Sequence, residues 1–290
     1  MLGKKERNGD IMGESTPSGG KDTSRLQRRN FRRRALKPLP IRSLIPNSIT
    51  VLALCAGLTS IRFALEGRFE IAVGAILVAS ILDGLDGRIA RLLKGTTKFG
   101  AELDSLTDFV NFGVAPVMVL YLWTMNEIGG LGWIAVLGYA VCCALRLARF
   151  NVGIEDPDKP VWAANYFTGV PAPAGAGLVM LPLYLSFQGV SDVKSASLLV
   201  AIYTGVVAFF LISRIPTFSG KRLGLRIHRD KVLPVLLLVA LFAALLVSYP
   251  WAMLTGLCLI YMAGLPIGAL RYRYLANRSA AEADKNPLKL

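Results

Sequence analysis

Eight apolar stretches alternate with short polar or basic connections along the chain. They run Leu44–Ala64, Phe69–Leu92, Leu103–Thr124, Gly130–Phe150, Tyr166–Phe187, Ala196–Ser213, Val232–Tyr249 and Trp251–Leu270. A helix that crosses a bilayer needs about 20 mostly apolar residues, so each stretch predicts one transmembrane helix. The pattern predicts an all-α integral membrane protein, a polytopic bundle of about eight helices. Trp123, Trp133, Tyr184, Tyr249 and Trp251 fall near predicted span ends, where amphipathic rings are favoured. The first run starts too late and is too long for the core of a cleaved signal peptide. No repeat of solenoid type is visible.

Composition sharpens this picture. Of 290 residues, 53% are hydrophobic and 18% charged, and the mean hydropathy is +0.50. Soluble domains run about 45–50% apolar and about 25% charged. Because residues 1–43 are polar and basic, the apolar excess is concentrated in the remainder. That excludes both a cytosolic enzyme with one compact core and a disordered chain. The 28 Gly and 15 Pro follow no fixed period, which excludes a collagen-like chain. The expected organisation is a basic segment over 1–43, a membrane domain over 44–272 and a tail over 273–290. Within the first segment the opening 24 residues are Gly/Ser-rich and expected to be disordered.

The net charge of +14 would suit a nucleic-acid partner, but the placement of the charges argues for a membrane instead. With the N-terminus in the cytoplasm, all but three of the 33 Lys and Arg fall on the cytoplasmic side; the exceptions are Arg62, Arg68 and Lys194. This positive-inside bias predicts a multi-pass protein of the cell (inner) membrane with both termini cytoplasmic. The run LQRRNFRRRALKPLPIR is suited to anionic lipid headgroups. Cys55, Cys142, Cys143 and Cys258 lie in apolar runs with no CxxC pattern, so they read as core residues and not as a disulfide or zinc framework.

Four carboxylates break the second and third apolar runs, in LDGLDGRIARLLKGTTKFGAELDSLTDFVNFG. An ionisable group at the centre of a span costs about 2.5–3.5 kcal/mol on insertion scales, so such groups persist when paired, hydrated or metal-bound. Asp83, Asp86, Gly87, Ala90 and Arg91 fall at i, i+3, i+4, i+7 and i+8, one stripe of a helix. Gly100, Asp104 and Asp108 fall at i, i+4 and i+8, again one stripe. The linker LLKGTTKFG lets the two helices run antiparallel, which brings both carboxylate pairs to one depth near the cytoplasmic end. Four close carboxylates cannot all stay ionised without countercharge. Hard divalent cations, Mg²⁺ or Mn²⁺, supply it and also bind phosphates. Two such ions could clamp an in-line displacement at phosphorus. Gly87, Ala90 and Gly100 leave room for a ligand, Arg91 offers a planar fork for phosphate oxygens, and Thr97 adds a hydroxyl.

The pattern D-x2-D-G-x2-A-R-x8-G-x3-D-x3-D resembles the signature of the CDP-alcohol phosphatidyltransferase family, matched at every defined position. The resemblance covers about the first six spans. It implies a six-helix catalytic core, a homodimer and an active site open to the cytoplasm, where an alcohol displaces CMP from CDP-diacylglycerol. It further implies that Asp83, Asp86 and Asp104 are metal ligands and that Asp108 both touches metal and acts as general base. Gly87, Arg91 and Thr97 match positions that contact the CDP moiety, with Ala90 and Gly100 beside them. In IPNSIT, Pro46, Asn47 and Thr50 resemble the family's first-helix cytidine-side motif; the bland reading is a simple helix start.

The acceptor is read from ALRLARFNVG and YFTGVPAPAGAG, which resemble the phosphatidylserine-forming branch of that family and imply L-serine. Serine's carboxylate needs a cation, and Arg146 and Arg149 are candidates; positive-inside anchoring explains either one equally well. The PAPAG run could line a cavity or simply kink a helix. Other acceptors remain open (glycerol 3-phosphate, inositol phosphate or choline), as does, at a distance, a cation-coupled transporter. The basic run SGKRLGLRIHRDK could hold the lipid phosphate or headgroups but reads more simply as an inside loop, and His228 within it as chemically idle.

Overall fold

The structure is a computed structural model that describes residues 41–154, 166–190, 192–213, 216–218 and 232–285. The expectations for the basic leader up to residue 40 and for the loop carrying His228 lie outside the described residues. The described residues all belong to one unit, Ile41–Leu290.

Helix α1 (Ile41–Leu65) and helix α2 (Phe69–Leu92) lie side by side and form the most extensive helix pair among the described residues. Their connection turns at Gly67, whose φ of 74° suits glycine. At the other end of α2, Lys94 takes the left-handed conformation and Gly95 N–H donates to the Ala90 carbonyl at 3.0 Å. That closes α2 as a glycine cap would. Thr97 then caps α3 (Lys98–Asp108): its hydroxyl accepts from Gly100 N–H at 3.0 Å.

The third apolar run is not a uniform α-helix. After α3 the chain passes through a π-helical segment, Phe109–Val114, before α4 (Ala115–Trp123). The Tyr139 hydroxyl donates to the Phe112 carbonyl at 3.1 Å from the next long helix, α5 (Gly130–Ile154). This bond helps satisfy backbone that a π segment takes out of the regular ladder. Gly113 is packed so tightly that a Cβ there would lie 3.1 Å from the Cys143 Sγ.

The fifth apolar run departs from the expected single helix. Tyr166–Thr168 forms a strand, β1, paired antiparallel with β2 (Pro216–Phe218). Two short helices follow, α6 (Ala172–Val179) and α7 (Leu181–Phe187). Proline explains the break, because Pro171, Pro173 and Pro182 withhold backbone donors along this run. Gly169 has φ of 79°, and a Cβ there would lie 2.7 Å from the Leu211 carbonyl oxygen. A four-residue helix α8 (Asp192–Ser195) leads into α9 (Ser197–Ile212), which lies along α5. Helices α10 (Val232–Ser248) and α11 (Pro250–Lys285) close the chain. The backbone of α11 continues helical well past Leu270, where a tail was expected.

The core is centred on α4 and the π segment, where Phe112, Val117, Leu120 and Trp123 are buried with Tyr139, Met180, Tyr184 and Leu211. Outward faces carry large apolar side chains, such as Leu233, Leu237 and Leu241 on α10. These suit a lipid environment, in which outer faces need no polar cover.

Among the described residues, three helical stretches are long and apolar enough to cross a bilayer: Leu44–Leu65, Lys98–Trp123 and Gly130–Val152. A fourth is added if the bent pair Val232–Ser248 and Pro250–Pro266 counts as one span. Helix α2 has the length but carries Glu70, Asp83, Asp86, Arg88 and Arg91. Helix α9 is apolar but only 16 residues long. The chain is an integral membrane protein by these helices.

Candidate functional site

Helices α2 and α3, joined by a short turn, bring their acidic stripes together. Carboxylate oxygens of Asp83, Asp104 and Asp108 all lie within 4.8 Å of one another. Asp86 stands one turn further along α2, 3% exposed, where the Thr50 hydroxyl of α1 donates to it at 2.5 Å. The expected quartet is thus a cluster of three with a fourth carboxylate at its edge, within electrostatic reach of Asp83 and Asp104.

Two of the buried oxygens, Asp83 Oδ1 and Asp86 Oδ1, accept no hydrogen bond from any described residue. Buried carboxylate oxygens without partners are costly. Grouped oxygens of this kind fit a hard divalent cation, whose ligands are carboxylates and phosphates. The residues present therefore suit the metal that the chemistry implies.

A cavity of about 180 Å³ opens beside the cluster. Its walls include Asn47 and Thr50 from α1, Gly87, Ala90 and Arg91 from α2, and Thr97 and Gly100 from the turn and α3. Asp86 and Asp104 line it too, whereas Asp83 and Asp108 lie outside the lining. Asp104 belongs to both the cavity and the carboxylate cluster. Gly100 is required here: a Cβ would lie 2.7 Å from Asn47 Oδ1 and 3.2 Å from Thr97 Oγ1. At Gly87 a Cβ would meet only Arg91 Nη1, at 3.6 Å, so that wall has slack. Pro46 sits inside α1, not at its start, so the simple helix-start reading of this motif fails. It lines the cavity with its carbonyl 3.1 Å from the Thr50 hydroxyl.

A second cavity, about 350 Å³ and almost wholly apolar, lies between α2, the α6–α7 pair and α11. Ser80 on its wall is one helical turn from Asp83, so the apolar chamber begins next to the acidic cluster. The PAPAG run contributes Pro173 and Ala174 to it.

The two arginines of α5 differ. Arg146 is buried, 8% exposed, and its Nε donates to the Val170 carbonyl. It lies within electrostatic reach of Asp108, yet among the described residues no carboxylate is within ion-pair distance of it. Arg149 is exposed and donates to the Ile212 carbonyl at 2.9 Å, which ties α5 to the end of α9.

Thr107 and Asn111 were not anticipated. Both are fully buried, and the Thr107 hydroxyl and both amide atoms of Asn111 have no hydrogen-bond partner among described residues. Asn111 crowds Gly57 of α1, where a Cβ would lie 2.0 Å from its Oδ1. Their spacing from Asp104, i+3 and i+7, was the available signal: the polar stripe extends deeper than the motif.

A family model described as CDP-alcohol phosphatidyltransferase matches residues 43–215, and one described as CDP-alcohol phosphatidyltransferase 2 matches residues 231–266. Similar curated proteins include the CDP-diacylglycerol–serine O-phosphatidyltransferase of Mycobacterium leprae, 43% identical over 83% of this chain and 80% of the relative. The protein of that name from Mycobacterium tuberculosis is 38% identical over 83% of this chain and 84% of its own length. The one from Helicobacter pylori is 33% identical over 80% and 92%.

Proposed function

The chain belongs to the CDP-alcohol phosphatidyltransferase family, and on that premise we propose that it transfers the phosphatidyl group of CDP-diacylglycerol to the hydroxyl of L-serine, giving phosphatidylserine and CMP. One observation carries the reading. Three carboxylates converge beside a cavity whose walls hold every residue expected on the nucleotide side, with Asp104 common to both.

The residues divide the work by chemistry. Asp83, Asp86, Asp104 and Asp108 would hold divalent cations, Mg²⁺ or Mn²⁺ and two in number, which supply positive charge to the diphosphate and to the departing CMP. Arg91 presents its guanidinium to phosphate oxygens from the cavity wall. Asn47 and Thr50 face the same space from α1, and Gly87, Ala90, Thr97 and Gly100 shape it around the nucleotide. The apolar chamber beside Ser80 suits an acyl chain of the lipid.

The acceptor enters between Arg146 and Asp108. A buried guanidinium without an ion pair among the described residues is a ready partner for the serine carboxylate. Arg149, expected to share that duty, is better explained by its bond to the Ile212 carbonyl. An alcohol stays protonated at neutral pH and is a poor nucleophile, so a positioned base is needed. Asp108 takes the hydroxyl proton as the serine oxygen bonds to the lipid-bearing phosphorus. The bond from that phosphorus to the oxygen of CMP breaks in the same displacement.

The proposed setting is a homodimer in the inner membrane. Residues 44–272 form the catalytic unit, with eight spans around a six-helix core. The termini and the site face the cytoplasm, where the basic segments meet anionic lipid. The positive-inside bias supports that orientation.

The test is CMP release by purified protein in mixed micelles of detergent and CDP-diacylglycerol. Serine should support release, and glycerol 3-phosphate, inositol phosphate and choline should not. Asp108→Asn should lose about 10²–10⁴-fold in rate while still binding CDP-diacylglycerol. Release with glycerol 3-phosphate but not serine would overturn the assignment of the acceptor.

A further inference from the structure

The apolar chamber has a direction. Its near end lies by the acidic site: Ser80 of α2 is one turn from Asp83, and Val170, just ahead of α6, accepts from Arg146 Nε. From Pro173 to Tyr184 the wall follows α6 and α7, a separation of eleven residues along nearly continuous helix. At a helical rise of about 1.5 Å per residue that is about 16 Å, roughly half the ~30 Å hydrocarbon thickness of a bilayer. The chamber is therefore about as deep as one leaflet.

Its far end is closed by aromatic rings. Tyr184 is fully buried and stacks on Trp251 of α11, with centroids 6.4 Å apart and planes 16° apart. Trp251 also meets the Phe187 ring at 4.7 Å. The Gln188 amide pins this end, donating to Thr255 Oγ1 at 2.7 Å and to the Tyr184 carbonyl at 2.9 Å. The Tyr184 hydroxyl has no hydrogen-bond partner among the described residues, so the position uses the bulk of the ring. Midway along the wall, Gly177 leaves the chamber wide: a Cβ there would meet nothing within 4 Å.

We propose that Tyr184 is a specificity-determining residue for the lipid substrate: its ring, held by Trp251, is the floor that sets how long an acyl chain the chamber takes. This rests on reading the chamber as the acyl-chain site of CDP-diacylglycerol. Inside a membrane the chain passes from one apolar phase to another, so its burial supplies little net drive. Discrimination then comes from fit. A chain that reaches the ring must bend or push it aside, which is costly in the way overpacking is. Shorter chains fit alike, and longer ones are penalised.

The experiment gives the full chain CDP-diacylglycerols with two identical saturated chains, from octanoyl to stearoyl, at one surface fraction in mixed micelles with saturating serine. CMP release is read relative to the dioctanoyl lipid for each variant, so loss of folded protein cancels. In wild type the relative rate should hold up to a limiting length and fall beyond it. Tyr184→Leu lowers the floor and should raise the stearoyl-to-octanoyl ratio about 5–20-fold over wild type. Tyr184→Phe keeps the ring and should keep that ratio within about twofold. Gly177→Leu puts a side chain into the open space and should lower the ratio about 5–20-fold. A wild-type profile without a limit, a limit unmoved in Tyr184→Leu and Gly177→Leu, or equal shifts in Tyr184→Phe and Tyr184→Leu would overturn the inference alone, because serine-dependent CMP release would stand. Wild-type protein that releases no CMP with serine at any chain length would overturn the functional reading and this inference with it.

Discussion

The Thr50 hydroxyl of α1 donates to Asp86 Oδ2 of α2 at 2.5 Å. A helix that carries no carboxylate of its own is thereby tied to the acidic site. Asp86 is the carboxylate that stands apart from the other three, and Thr50 is what holds it at the cavity wall.

Removing that hydroxyl tests the connection. Thr50→Val keeps the shape of the side chain and leaves Asp86 short of a donor. Stability should fall by about 1–3 kcal/mol, the cost of a buried polar group deprived of its partner. The KM for CDP-diacylglycerol should rise while the KM for serine stays put. Thermal unfolding in detergent and the two substrate titrations measure both effects; a rise confined to the serine KM would contradict the placement of Asp86 on the nucleotide side.

Chelation should abolish CMP release, and added Mg²⁺ or Mn²⁺ should restore it. Metal that binds only the folded protein also stabilises it, by about 2.7 kcal/mol at 100 times the dissociation constant. The unfolding temperature should therefore rise with cation even without substrates. Asp104→Ala removes the carboxylate shared by the cluster and the cavity, and should flatten that rise. A variant whose unfolding temperature still climbs with Mg²⁺ as in wild type would place the ion elsewhere.

Glycines of α1 and α2 should differ in tolerance by their neighbours alone. A Cβ at Gly57 would lie 2.0 Å from Asn111 Oδ1, whereas one at Gly74 meets nothing within 4 Å. Gly57→Ala should destabilise by about 1–3 kcal/mol through overpacking. Gly74→Ala should be neutral or slightly stabilising, since alanine is the better helix former. Unfolding curves of the two variants decide it.

The two arginines of α5 should separate kinetically. Arg146→Ala removes a buried cation beside Asp108 and should raise the serine KM by about 10²-fold or more, the scale of a charged hydrogen-bonded pair. Arg149→Ala loses one exposed bond to a carbonyl and should cost about 0.5–1.5 kcal/mol in stability with little change in either KM. Equal acceptor defects in the two would return Arg149 to the site.

The long helices were legible because their apolar runs are long and their ends are marked. The run Phe69–Leu92 is a helix with those same bounds, and Thr97 begins the next through an ordinary capping bond. The spacing of the aspartates was legible as a stripe, and it told which side chains share a face. It did not tell that Asp86 would be drawn toward Thr50 instead of joining the other three, since that depends on how α1 lies against α2. The broken fifth run was half readable: its prolines marked an interruption, but the pairing of Tyr166–Thr168 with Pro216–Phe218 joins segments far apart in sequence. Arg146 and Arg149, three residues apart and chemically identical, could not be told apart until burial separated them.

The π segment Phe109–Val114 sets a phase. Upstream of it the helix aims its acids; downstream it wedges α4 into the centre of the protein. Because one extra residue is spent in that turn, the two halves are rotated relative to what an unbroken α-helix would give. Excising a single residue there would swing Asp104 and Asp108 by about 100° around the axis while Val117 and Leu120 kept their seats. What this stretch has to preserve is its length, as much as any side chain in it.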